Sequence, residues 1–92
     1  MPEPKEPAQI DFYTFVLSLA SSAFVHLGDA PHPETGEIGK ANLLLAKETI
    51  DILAMLGEKT KGNLTAEESS FLENLLADLR LRYVAKGSGK RE

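Results

Sequence analysis

The chain has 92 residues, 42% of them hydrophobic, a formal net charge of −4 and no cysteine. That length makes a single domain, disulfides and thiolate metal sites are excluded, and the acidic balance gives no general electrostatic drive toward nucleic acid or anionic lipid. A domain of this size buries a smaller share of its surface than a larger one and is marginal alone, so association would relieve it.

Residues 1–10 begin MPEPKEPAQ, three prolines and three charges without periodicity. They read as a disordered lead, with a docking peptide as the minor alternative because proline-rich segments serve as extended ligands. A secretory leader needs a positive segment ahead of its apolar core. Here Glu3, Glu6 and Asp11 outnumber Lys5, so export is not expected.

The stretch DFYTFVLSLASSAFVHLG predicts a first helix over about 11–28. Asp11 can cap the free amides, Ile10 and Phe15 stand at staple spacing, and Gly28 supplies the stop. At about 100° per residue, Phe12, Phe15, Val16, Leu19, Ala20, Ala23 and Leu27 share one arc. Tyr13, Leu17 and Phe24 widen it, and the opposite strip of Thr14, Ser18, Ser21, Ser22 and Val25 carries no charge. An ordinary surface helix has an apolar stripe a little over ~100° wide. The surplus is expected to meet a second subunit, with Tyr13, Leu17 and Phe24 as contacts. The run falls short of the ~20 mostly apolar residues that a bilayer core requires, so a membrane span is not favoured. Peripheral membrane attachment through this helix is a separate alternative.

The following DAPHPETGEIGK is long for a helix connection, with Pro31 and Pro33 disfavouring helix in the residues before them. A spacer is the plainer reading and a binding loop the alternative, in which His32, Glu34 and Glu37 gather round a cation or small ligand.

A second helix is expected over about 41–61. Leu43, Ala46, Ile50, Leu53 and Gly57 form one 3-4-3-4 seam, and Leu45, Ile52 and Leu56 with Thr49 form a second. Leu45, Ile52 and Leu56 are therefore further interface candidates. Gly57 costs about 1 kcal/mol of helix propensity relative to Ala, which a close helix crossing would explain. Gly62 suits the left-handed position beyond the helix, and Thr65-Ala66-Glu67-Glu68 is a capping box that opens a third helix over about 65–86. There Phe71, Leu72, Leu75, Leu76, Leu79 and Tyr83 make one face, with Leu81 and Val84 on the polar side. Residues 87–92 read as a flexible basic tail. Arg80, Arg82 and Lys86 could meet phosphate, but cations belong near a helix C-terminus in any case, and nucleic-acid binding is not favoured.

No catalytic constellation emerges. His26 and His32 lack the spacing of helical metal motifs, and Ser18, Ser21 and Ser22 have no acid–base partner at fixed spacing. No metal or cofactor is expected, and an enzyme using the loop is the alternative reading.

FVLSLASSAFVHLG, PETGE, AKETIDILAMLGEKTKGNLTAEE and LLADLRLRYV together resemble the bacterial family known as domain of unknown function 1844, from Phe12 to about Val84. The resemblance implies a bacterial, cytoplasmic protein that forms a whole small chain, and it gives no residue a role. The expected fold is all-α: a three-helix bundle, or a helical hairpin plus a highly apolar first helix, in one domain over 11–86 completed by dimerisation. The expected function is a non-enzymatic oligomerisation or protein-interaction module, homodimeric or of higher order, with an unidentified protein as a further partner.

Overall fold

The computed structural model describes residues 11–90. The expected lead at 1–10, with Ile10 of the expected staple, and residues 91–92 lie outside them. The described residues form an all-α three-helix bundle: α1 (Phe12–Leu27), α2 (Leu43–Lys59) and α3 (Ala66–Lys90), each packed against both others.

Local chemistry sets most of the helix ends. The Asp11 carboxylate accepts the Thr14 amide at 2.8 Å, and that bond holds its carboxyl below the usual range. At the other end of α1, Gly28 has φ +80° and donates to Val25 O, while Asp29 N–H donates to Phe24 O. This is the paired 6→1 and 5→2 pattern of a Schellman stop. α2 begins at Leu43 rather than 41, because Asn42 stands outside the helix and its side chain accepts the Leu45 amide at 3.1 Å. It ends at Lys59, where the Thr60 hydroxyl donates to Leu56 O at 2.8 Å. The capping box closes in both directions: Glu68 N–H donates to Thr65 Oγ1 at 3.0 Å, and Thr65 N–H donates to Glu68 Oε1 at 2.9 Å.

α3 runs to Lys90, beyond the expected end at 86. Gly87 does not adopt a positive φ, so it does not cap the helix as Gly28 caps α1.

The core comes mainly from α1 and α2. Val16, Ala20, Ala23 and Leu27 meet Ala46, Ile50 and Leu53, and α3 adds Leu72 and Leu79. The alanines let α1 and α2 approach closely. Gly57 marks the α2–α3 crossing, since a Cβ there would stand 3.2 Å from Leu72 Cδ2. Among the described residues Thr49 is buried and polar, and its hydroxyl is satisfied by Leu45 O at 3.1 Å. Phe15, placed on the inward arc of the first helix by its angular position, is 45% exposed. The buried strip is narrower than the apolar arc, and Phe15 lies at its edge.

Candidate functional site

The six interface candidates divide into two groups. Tyr13 packs edge-on to Phe71 at 5.1 Å between ring centroids, and Phe24 lies on the core with the Arg82 guanidinium 5.0 Å above its ring. The side of α1 that carries Tyr13, Leu17 and Phe24 thus borders α3. Leu17 alone of the three is more than half exposed. On α2, Leu56 packs against the core, while Leu45 and Ile52 are 39% and 44% exposed.

Sequence reading missed three neighbours of the second group. Leu44, Met55 and Phe15 are all exposed. Met55 follows Ile52 by three residues, so helical spacing alone places both on one outward strip. Gly57 and its contact with Leu72 show that α3 occupies another side of α2. Phe15 flanks the buried strip of α1 on the side away from Tyr13 and Phe24. One face of the α1–α2 pair, turned away from α3, therefore carries Phe15, Leu45, Ile52 and Met55.

The connecting loop folds against the uncharged strip of α1. An open cleft of about 650 Å³ lies between Ser18, Ser21, Ser22 and His26 on the helix and Pro31 and His32 in the loop. His32 is fixed by a turn: its N–H donates to Glu37 O at 2.9 Å, and its Nδ1 accepts the Glu34 amide at 3.2 Å. Glu37 lines a neighbouring depression with His26, His32 and Leu45, and Glu34 lines neither. Among the described residues no group of three His, Asp or Glu side chains could hold a metal ion. The loop joins His32 to Glu34 and Glu37 through backbone groups, not through carboxylates converging on the imidazole.

Two of the cations considered for phosphate have an intramolecular partner. Asp29, just past the α1 stop, accepts from Lys86 Nζ at 2.8 Å and from Arg82 at 3.1 Å, and Arg82 also reaches Asp78 at 3.1 Å. The Lys86 hydrogen bond is the main cause, with Arg82 adding to it, that holds the Asp29 carboxyl below its usual range. This cluster pins the start of the loop to α3.

No helix of the described residues is long and apolar enough to cross a membrane. The family model described as Domain of unknown function (DUF1844) matches residues 9–85, nearly the whole of the bundle, and the chain belongs to that family. Comparison with curated proteins and with solved structures gave no match.

Proposed function

We propose that this member of the DUF1844 family is a non-enzymatic helical interaction module of the bacterial cytoplasm that works as a homodimer, with the outward face of α1 and α2 as its self-interface. The observation that carries the reading is the cluster of large apolar side chains left in water there, Phe15, Leu45, Ile52 and Met55, beside a core whose α1–α2 part is half alanine and small residues. Each such side chain taken fully out of water contributes about 1.5–3 kcal/mol, and a domain this small has little other stabilisation to draw on.

Light scattering over a dilution series tests it, with Ile52→Glu as the interface variant and circular dichroism as the fold control. The expected result is a wild-type dimer and a folded, monomeric Ile52→Glu. A wild type that stays monomeric at high concentration overturns the reading. Phe24→Glu does not serve here, because Phe24 packs on the core beneath Arg82 and its loss would disturb the fold.

A second reading, a small-ligand site, has the 650 Å³ cleft behind it, a size within the range of ligand pockets. A fragment screen by NMR tests it: shifts gathered at His26, Pro31 and His32 and abolished by His32→Ala support it, and their absence removes it.

A further inference from the structure

The outward strip of α2 reads Leu45, Glu48, Ile52, Met55, Lys59 at 3-4-3-4 spacing, the repeat that keeps side chains on one seam. All five are exposed. Among the described residues, neither Glu48 nor Lys59 takes part in an ion pair, whereas Lys47 and Asp51, to one side of the seam, pair with each other at 2.8 Å.

We infer that this seam is self-complementary and that its occupant is a second copy of the chain, laid antiparallel along α2, with Ile52 against the partner's Met55 and Glu48 against the partner's Lys59. The inference rests on the homodimer reading and deepens it by fixing face, direction and register.

The argument is geometric and electrostatic. In a two-fold contact, if residue i meets residue j of the partner, j also meets i. The pairs Ile52–Met55 and Glu48–Lys59 are centred on the same level of the helix, between Leu53 and Ala54. One two-fold axis at that level therefore makes each pair twice: two thioether–isoleucine contacts at the middle and one opposite-charge pair at each end.

The alternatives are worse. A parallel pair in register sets Glu48 against the partner's Glu48 and Lys59 against the partner's Lys59, and like charges across an interface oppose association. An antiparallel pair centred on Ile52 sets the ammonium of Lys59 on the apolar Leu45 and leaves Glu48 opposite Leu56, which is already packed in the core. Stable contacts bury about 800 Å² per partner, more than one helix strip supplies, and Phe15 on the neighbouring α1 widens the face on the side away from α3. In this arrangement α3 stays outside the contact, with Leu81 and Val84 still in water.

The test is a charge swap followed by sedimentation equilibrium of the full chain at low salt. Glu48→Lys alone and Lys59→Glu alone each turn two attractive contacts into two repulsive ones, and each should weaken the dimer about tenfold. Glu48→Lys with Lys59→Glu in the same chain should restore it to near wild type, and added salt should shrink all the differences. All three variants change exposed side chains, and circular dichroism confirms equal helicity.

A wild-type dimer unaffected by the single reversals, or a double variant no tighter than the singles, overturns this register while leaving the homodimer standing. A wild type that is monomeric removes both.

Discussion

Lys86 Nζ, near the end of α3, lies 2.8 Å from Asp29 Oδ1, just beyond the end of α1. The contact closes the bundle at the end opposite the α2–α3 hairpin. With Arg82 on the same carboxylate, it ties the start of the long loop to α3. The Asp29 side chain is only 18% exposed, while its partners are about twice as exposed, so the pairs rank near the upper end of surface ion pairs.

Asp29→Asn should therefore lower stability by about 1 kcal/mol, measured by urea unfolding at neutral pH. The folded-state pKa of Asp29 is depressed, mainly by Lys86 and then by Arg82. Its contribution is fully present above the unfolded carboxylate pKa of about 3.9 and is lost as pH falls through the lower folded value. The difference between wild type and Asp29→Asn should hold from neutral pH down to the carboxylate range and vanish in stronger acid. A difference of the same size in strong acid would mean that the Asp29 charge is not what ties the loop to α3.

Gly28 and Gly62 both have positive φ, at 80° and 88°, but their surroundings differ. A Cβ at Gly28 would lie 3.2 Å from Gly39 O and 3.4 Å from Ala41 N, both backbone atoms, whereas a Cβ at Gly62 would meet nothing within 4 Å. The left-handed conformation costs an L-residue roughly 1–2 kcal/mol. Gly62→Ala should cost that amount and Gly28→Ala distinctly more, with the loop from Gly39 to Ala41 displaced. Equal losses in thermal unfolding would show that the approach of the loop to Gly28 is without consequence.

Thr65→Ala should cost about 1 kcal/mol, the usual worth of a helix N-cap. Glu68→Ala should cost less, because the amide of exposed Thr65 can turn to water while the helix keeps its hydroxyl cap. Urea unfolding of both variants checks the order, and a larger loss from Glu68→Ala would assign that carboxylate a role beyond the box.

What the sequence made legible was what a few adjacent residues decide. Asp11, Gly28 and the Thr65–Glu68 box act within one turn of themselves, and each makes the bonds that its spacing implies. The α3 face behaves likewise, with Leu72 and Leu79 buried and Leu81 and Val84 in water. The apolar arc of α1 gave its width but not its orientation. Phe15 and Phe24 lie on opposite flanks of the buried strip, and only the positions of α2 and α3 decide that Phe24 is covered and Phe15 is not. Asp29 was invisible for a different reason: its partners are on α3, and no local pattern joins an acid after one helix to cations near the end of another. The candidate face is mostly legible in the sequence, since Leu45, Ile52 and Met55 share a strip by helical spacing, while the exposure of Phe15 needs the bundle.

Gly57 offers the sharpest probe of the α2–α3 crossing. A glycine inside a helix gives up about 1 kcal/mol against alanine, and at this position a Cβ would stand 3.2 Å from Leu72 Cδ2. The neighbour is the end of a leucine side chain rather than backbone, and it need give way by only a few tenths of an ångström. Gly57→Ala should therefore fall within about 1 kcal/mol of wild type, the propensity gained offsetting the tighter contact. Gly57→Leu has no such escape and should lose about 1–3 kcal/mol by overpacking. Leu72 is 3% exposed, and Leu72→Ala should cost about 2–5 kcal/mol through the cavity it leaves. In the Gly57→Ala background that cost should be smaller, because the added methyl group borders the same cavity, and a double-mutant cycle reads the coupling directly. Strict additivity of the two substitutions would show that Gly57 and Leu72 do not meet in the folded protein and would move the crossing elsewhere along α2.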